Sequence, residues 1–520
     1  MKTRAILDRI EAWSRGQPIP VGETLPWPRA AAADRLIVAF VRMAGEARPW
    51  GVAAGRPGEP PTILTAPEPR DAGEVARLAL AFAEILLPHL PHPDTLGAAE
   101  LAELPAIAAR RQLWMPGPTH VEMLHLLDYR FSRASLRDDA DARPLGKLGR
   151  ACGWLFREST RPGQVRVLDA TRCLREAYAI PADDVRQQHL GFLLAWIDTP
   201  GDRAARLLAA RLAEDASVGV TMDPGFERDT LKPLVDRWNA SRGDEVASAR
   251  AAGEIHEALA PELARRFALT ERAVGALEDS GRPENPGLGK ILDLAAEEMT
   301  WQYFSREQKA AAPPADPDAP RFFGDHPETD FLPTHAAARF FAHAHAAEIT
   351  AAELVHGDRA RLVRTIEAGD AVAGTIVEVR NEGTKRAVVP VWTVIAPADG
   401  PLRLREESGV CVFGLRGRTG RLRSITTEGG QRTLIVEIDN WKRARPEEGA
   451  PAADAPELEG TRIVLVDSGA VGISKRKSAR VWDASGPGAW LTHAAPPPEP
   501  APSAPAFGDL LALVRGLKGP

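Results

Sequence analysis

The spacing of apolar positions changes along the chain and predicts regions of different structure. Residues 1–70 combine helical stretches, one of them over 33–43, with two short alternating segments at 50–55 and 62–66. Glycine and proline residues between the two segments are typical of a turn, so the segments are predicted to form a hairpin. The first region is therefore predicted to be a small α+β cap.

A helical spacing of three and four residues starts near residue 71 and persists to residue 309. Helices are predicted at 203–214, 231–239, 254–259 and 261–267, among others. Thr119 precedes one apolar stripe, and Asp183 or Asp184 precedes another. These residues are predicted N-caps, because their side-chain oxygens can accept from unpaired N–H groups of the first turn. No period of about 30 to 45 residues with matching landmarks is found, which disfavours a helical solenoid.

At residue 371 the apolar period switches from helical spacing to strict alternation. Segments rich in Val, Ile and Thr, separated by Gly, Asn, Asp and Pro, lie at 375–380, 387–395, 409–413, 422–426, 432–438 and 461–467. Such short strands with intervening turns are typical of a compact antiparallel β-barrel or sandwich. The predicted fold class is α+β and multidomain: a mainly α-helical N-terminal two-thirds with a small N-terminal hairpin, followed by this β domain.

Proline-rich segments and changes of period set the predicted domain boundaries. The predicted regions are an N-terminal cap at 1–70, a multi-helix domain at 71–309, a Pro-rich linker at 310–334, a helical connector at 335–370, a basic β domain at 371–493 with a mobile loop at 446–460, a Pro-rich tether at 494–506 and an amphipathic docking helix at 507–520.

The last segment carries an apolar stripe at helical spacing. Its members are Phe507, Leu510, Leu511, Val514 and Leu517. A helix this short is marginal in water unless its stripe is buried, so these residues are predicted to bind a protein partner or to dock on the chain itself. The sequence leaves open whether the contact is made in cis or in trans.

Composition places the chain among ordinary globular proteins. It has 65 Lys+Arg against 71 Asp+Glu, a net charge of −6 and 44% hydrophobic residues. No apolar run of about 18 residues and no apolar signal segment near the start are present, so a cytoplasmic location without membrane contact is expected. Three cysteines without a CxxC pair argue against structural zinc and redox chemistry. Neither metal nor cofactor is therefore expected.

Searches for catalytic motifs are negative. Gly289-Lys290 lacks the upstream glycine of a phosphate-binding loop, and GxGxxG, HExxH and GxSxG patterns are absent. Histidines cluster between His326 and His356, but His343 and His345 lie two apart on a predicted helix, so their side chains diverge. Metal binding by this cluster is left as an alternative.

A second alternative is a metal-dependent nuclease. Asp370, Glu378 and Arg380 faintly match a D…ExK pattern at the start of the β region. Arginine stands where such a site needs lysine, and a guanidinium of very high pKa is a poor substitute in proton chemistry. Alternating charges on the solvent side of a strand produce the same spacing.

The charge distribution is the one positive signal for function. Residues 371–490 carry 18 basic and 15 acidic side chains, whereas the rest of the chain carries 47 and 56. Within 414–423 arginines alternate with Gly, Leu and Thr, and guanidinium groups match phosphate oxygens in bidentate fashion. The candidate nucleic-acid-binding residues are Arg403, Arg405, Arg416, Arg418, Arg421, Arg423, Lys442, Arg443, Lys475, Arg476 and Lys477.

These observations favour a non-catalytic accessory or scaffold protein that binds DNA or RNA phosphates through its Arg-rich β domain. Its expected setting is a bacterial nucleic-acid-processing or phage-defence assembly with a protein partner such as a helicase or nuclease. The alternatives are a metal-dependent hydrolase or nuclease of unrecognised type and a pure protein–protein interaction scaffold. Arginines that merely keep strand edges solvated would give the same composition.

Overall fold

A computed structural model gives the fold of the chain. It describes residues 2–90, 111–134, 140–161, 163–278, 280–289, 291–292, 347, 350, 353–355, 357–384, 388–413, 415, 418–439 and 451–467. Two sheets and a closed barrel carry the strands of this part of the chain. The α+β class predicted from the sequence is confirmed, and helices and strands are mixed within the first 280 residues rather than separated.

The centre of the N-terminal part is a mixed five-stranded sheet. Its strands are β2 (Arg35–Arg42), β3 (Pro49–Gly55), β4 (Thr62–Thr65), β5 (Gln112–Met115) and β6 (Val167–Asp169), in the spatial order β4-β3-β2-β5-β6. The first three form an antiparallel meander, and β2, β5 and β6 run parallel. The predicted hairpin is confirmed as β3 and β4, and it shares one sheet with strands from the region predicted as multi-helix.

The helix predicted over 33–43 is wrong, because these residues form the central strand β2. Leu36, Val38 and Phe40 face one helical layer, whereas Ile37 and Val41 face the other. A strand that is buried on both faces is apolar throughout and loses the alternation by which a strand is recognised.

Helices cover both faces of the sheet. One layer consists of α2 (Ala72–His89), α3 (Pro118–Phe131) and α4 (Ala142–Ser159). The other includes α5 (Ala170–Ala177), α6 (Leu190–Asp198), α8 (Lys232–Ala240) and the 34-residue α9 (Glu245–Glu278). The chain also forms α1 (Lys2–Arg15), α7 (Arg203–Glu214) and a two-stranded sheet of β1 (Ile19–Pro20) and β7 (Tyr178–Ala179).

Helix α9 runs through Pro261, where two separate helices are predicted. An internal proline costs roughly 3 kcal/mol because it removes one backbone hydrogen bond and clashes with the preceding turn. Ile255, Leu259, Leu263 and Phe267 are nevertheless buried as one continuous stripe against the sheet. Burial of this stripe offsets the local cost of the proline, and the helix continues.

None of the predicted residues is the N-cap of its helix. Asp183 accepts from the backbone N–H of Arg186 at 2.8 Å, but Val185 is the N-cap of the 3-10 turn that follows, and His189 caps α6 through the N–H of Phe192. Thr119 is wrong as a cap, because α3 already begins at Pro118. Proline is favoured at a first helical position because it has no N–H to leave unpaired.

The C-terminal described part is a closed barrel, one of the two architectures predicted from the sequence. Its strands are β8 (Ala371–Asn381), β9 (Pro390–Pro397), β10 (Gly409–Phe413), β11 (Arg418–Glu428), β12 (Gln431–Ile438) and β13 (Arg462–Asp467). They close in the order β10-β11-β12-β9-β8-β13, and every neighbouring pair is antiparallel.

The segment before β13 closes one opening of the barrel core. Ala453 and Leu458 are buried among the core residues, and the indole N–H of Trp392 donates to the carbonyl of Ala453 at 2.7 Å. In contrast to the mobile loop predicted at 446–460, residues 451–460 are therefore packed. Residues 446–450 lie outside the described residues.

A buried carboxylate joins the barrel to the sheet domain. Helix α10 (Arg359–Glu367) leads directly into β8, and its N-cap is Asp358, which is 1% exposed. Asp358 Oδ2 accepts from the backbone N–H groups of Glu23 and Thr24 and from the Thr24 hydroxyl at 2.8 to 2.9 Å, and Oδ1 accepts from the N–H of Arg361. Burial alone would raise the pKa of Asp358, but hydrogen bonds from Arg361 and Thr24 hold it below its usual value.

We expect Asp358→Asn to lower the free energy of unfolding by about 3 to 5 kcal/mol, because an amide N–H₂ in place of Oδ2 would face donors instead of accepting from them. Asp244→Asn is a matched control. Asp244 is an exposed acceptor for Val246 and Ala247 at the start of α9, and asparagine caps as well as aspartate. Urea unfolding of both variants checks this; an equal, small loss in both would contradict it.

A buried histidine couples β2, α3 and the segment before α8. His120 Nδ1 accepts from the N–H of Phe40, and Nε2 donates to the carbonyl of Val218, each at 3.0 Å. Burial lowers the pKa of His120 to about 3, and burial also lowers that of His89 to about 4. Both side chains are therefore neutral in the folded protein near pH 6.

Acid should destabilise the fold between pH 6.5 and pH 4. Over this range the unfolded chain binds protons at these histidines and the folded chain does not, so stability falls as pH falls. Each histidine contributes up to about 1.4 kcal/mol per pH unit. His120→Asn should be less stable at pH 7 and show a shallower pH dependence in urea unfolding at pH 5, 6 and 7; an unchanged dependence would sink this assignment.

Candidate nucleic-acid interface at one end of the barrel

The path of the chain sorts the barrel connections between two ends. Strands β8, β10 and β12 run in one direction and β9, β11 and β13 in the other, because all neighbours are antiparallel. The strand ends Asn381, Phe413 and Ile438 therefore lie at the same end of the barrel. We call this the basic end, and the opposite one the far end.

The connections that leave the basic end contain six of the fourteen basic residues of 371–467, together with seven acidic residues, six of which lie in the connection after β12. The segments that follow β8, β10 and β12 hold Lys385, Arg386, Arg416, Lys442, Arg443 and Arg445. These six residues lie outside the described residues, but the strand ends that flank them are described. Lys385 and Arg386 are absent from the predicted site. The sequence signal for them is the adjacent basic pair between two predicted strands. Because strand direction alternates along the chain, this connection leaves the same end as those after β10 and β12.

Alternation along β11 separates the predicted arginines. Arg418 is 4% exposed, and its guanidinium donates to the carbonyl of Pro451. Burial lowers the pKa of Arg418. Its contacts hold the packed segment 451–460 against the barrel, so this side chain is a structural group and does not face solvent.

Arg423 lies on the outer face of β11 between two carboxylates. It donates to Glu437 Oε2 at 2.7 and 2.8 Å and to Glu382 Oε2 at 2.6 Å. The charge-assisted hydrogen bond from Arg423 lowers the pKa of Glu382. The bonds to Glu382 and Glu437 together raise the pKa of Arg423. We call this arrangement the carboxylate clamp. It occupies the guanidinium with two carboxylates, Glu437 on the neighbouring strand β12 and Glu382 directly after β8.

Arg421 lies on the same outer face, with 62% of its side chain exposed, and pairs with Glu407 at 3.1 Å. Glu407 has a φ of 64°, the one positive φ among the described non-glycine residues. Its backbone N–H donates to the carbonyl of Leu422 at 2.6 Å. The turn before β10 thus accepts local backbone strain while placing a carboxylate beside Arg421.

Arg403 and Arg405 are not close to the basic end. They lie in the connection from β9 to β10, which leaves the far end, and both are exposed. Arg403 donates to Asp370 at 3.2 Å, and its N–H donates to the carbonyl of Gly369. The structure therefore divides the predicted site between two ends.

The described residues of the β domain have an excess of acidic side chains that lies in the connections, whereas the six strands hold six arginines and four carboxylates. Within the described residues of 371–467 there are eight arginines and twelve Asp or Glu side chains. The remaining residues of 371–490 hold ten basic and three acidic side chains. The positive charge that the sequence predicts for this domain is thus carried by connections and by the segment after β13.

Several predicted residues lie outside the described part of the chain. They are Lys475, Arg476, Lys477, Phe507, Leu510, Leu511, Val514 and Leu517. Trp392 and Phe413 are buried, so these two aromatic side chains are not exposed for stacking on bases. Trp441 and Trp482 lie outside the described residues.

The catalytic alternatives find no assembled site in the described residues. Asp370 and Glu378 are separated by eight residues of mostly extended chain, roughly 25 Å, and their partners are Arg403 and the Thr393 hydroxyl. Among the described residues no group of three or more His, Cys, Asp or Glu is placed to hold a metal ion. The histidines His326, His335, His343, His345 and His356 lie outside the described residues.

Two further findings concern membrane-spanning helices and similarity to known proteins. None of the helices in the described ranges is both long and apolar enough to cross a membrane. Comparison of the chain with protein-family models, with curated proteins and with solved structures finds no match to any of them.

Proposed function

We propose that the protein binds the phosphates of DNA or RNA through the basic end of its barrel. The observation that supports the proposal is topological: three connections that each contain Lys or Arg leave the same end, and two of them hold Lys385, Arg386 and Arg416 against a single carboxylate. Convergent cations neutralise adjacent phosphates and release counterions, which gives salt-dependent affinity without base contacts.

The exposed face of β11 extends this surface. Arg421 and Arg423 lie on it; the ion pair of Arg421 with Glu407 is exposed, and that of Arg423 with Glu437 is partly exposed. Exposed pairs contribute only about 0 to 1 kcal/mol, so phosphate oxygens can replace the carboxylates at small cost. The proposed role is that of a non-catalytic accessory subunit, in which the sheet domain contacts a partner such as a helicase or nuclease.

Lys385→Ser/Arg386→Ser should weaken nucleic-acid binding more than Arg403→Ser/Arg405→Ser. Both variants remove two positive charges, the first at the basic end and the second at the far end. The log–log slope of affinity against salt should fall by about 1.4 for single strands or about 1.8 for duplex DNA in the first variant. In the second it should change by less than about 0.5. Fluorescence anisotropy across a salt series measures both slopes.

Equal losses in the two variants would show that the charge of the domain, and not its basic end, attracts nucleic acid. Absence of salt-dependent binding by the intact protein would remove the proposal and favour a protein-interaction scaffold.

Opening the carboxylate clamp should strengthen binding. Glu382→Gln/Glu437→Gln leaves Arg423 without its two anionic partners, so we expect a three- to tenfold higher affinity and a salt slope steeper by about 0.7 to 0.9. Asp399→Asn/Glu428→Gln removes two carboxylates at the far end and is the matched control. A control that strengthens binding equally would mean that only net charge matters.

A further inference from the structure

A cleft with a volume of about 630 Å³ lies between helix α2 and helices α8 and α9, next to the edge strand β4. This volume is within the range of small-molecule sites, roughly 300 to 1,000 Å³. The cleft is far from the barrel in the chain and takes no part in the function proposed above. Its walls combine an apolar surface, including Leu78 and Ala249, with five charged side chains.

The charged lining has an excess of one carboxylate. Asp71, Glu74 and Glu245 face the cleft together with Arg77 and Arg242. Arg242 donates to Asp71 Oδ2 at 2.7 Å and connects the two walls, while Arg77 pairs with Glu74. The net charge of the lining therefore complements a cation.

The cleft already shows how it accommodates a guanidinium. The Arg242 guanidinium carbon lies 4.4 Å from the ring centroid of Trp238, and the same group donates to Asp71. An aromatic face combined with a carboxylate is a recurrent arrangement for organic cations. Arg242 is 48% exposed, so open space adjoins this arrangement.

Glu74 is the unusual member of the lining. Its side chain is only 7% exposed, whereas that of its partner Arg77 is 71% exposed. Burial raises the pKa of Glu74, which means that the charged form is disfavoured in the folded protein. A glutamine of the same size would avoid this loss of solvation, so the carboxylate costs stability unless a second cation joins it.

We propose that this cleft binds a small organic cation with an apolar stem, such as an aminoalkyl guanidine. Its amine or guanidinium contacts Glu74, its stem packs on Leu78 and Ala249, and Glu245 faces its outer end. The apolar lining makes a hydrated metal ion a poorer match than a cation that carries methylene groups.

Agmatine is the test ligand, and succinate is a probe of similar length and opposite charge. Added to the full chain, agmatine should raise the melting temperature progressively and release or take up heat in calorimetry, because it binds only the folded state. Succinate should do neither. Glu74→Gln should leave the melting temperature without ligand equal or higher and weaken agmatine binding at least tenfold.

Two further variants give a second test of the cleft and a control. Glu245→Gln, on the exposed rim, should weaken binding two- to fivefold, so the proposal stays testable if Glu74→Gln unfolds the protein. Glu257→Gln lies on the outer side of α9 away from the cleft and should change nothing. No response to agmatine at about 10 mM, an equal response to succinate, or full affinity in Glu74→Gln would overturn the proposal.

Discussion

The buried carboxylate of Asp358 is the constraint on which the connection between sheet and barrel depends. Its two oxygens accept from the backbone N–H groups of Glu23, Thr24 and Arg361 and from the Thr24 hydroxyl. The same hydroxyl oxygen accepts from the side-chain amide of Asn285. A Cβ at Gly357 would overlap the Asn285 side chain, so only glycine permits this approach. Three distant chain segments, near residues 24, 285 and 358, therefore meet around one buried carboxylate. Through these contacts the sheet domain positions the helix that leads into β8.

Local patterns predict the barrel strands but fail at the central strand of the sheet. The sequence predicts all six barrel strands, of which β9 and β12 largely alternate between buried and less buried positions, whereas β10 is buried at four of its five positions and is marked by its β-branched residues and flanking turns. Strand β2 is covered on both sides, so its apolar run is compatible with a helix as well. The parallel pairing of β2 with β5 joins residues more than 70 positions apart, for example Leu36 and Leu113. No spacing rule in a single sequence contains that information.

The candidate interface was predictable as a composition and not as a surface. The pleat of β11 places Arg418 inside and Arg421 outside, so the arginines that alternate within 414–423 do not share one face. The carboxylates that engage Arg421 and Arg423 come from other strands or turns, so the pairs depend on register. The three connections share one end because strand direction alternates along the chain. The six predicted strands, taken as antiparallel, are therefore enough to locate that end.

The uneven distribution of charge bears on how such a barrel would select its ligand under the proposed function. The described residues of 371–467 carry eight arginines and twelve carboxylates, whereas the connections after β8 and β10 carry Lys385, Arg386 and Arg416 against one carboxylate, Glu382. On the proposed function, attraction by these connections and repulsion elsewhere orient a polyanion during encounter, and screening by salt weakens both effects. A net charge of −6 does not by itself exclude nucleic-acid binding, because the charge near a site and not the total charge governs the encounter.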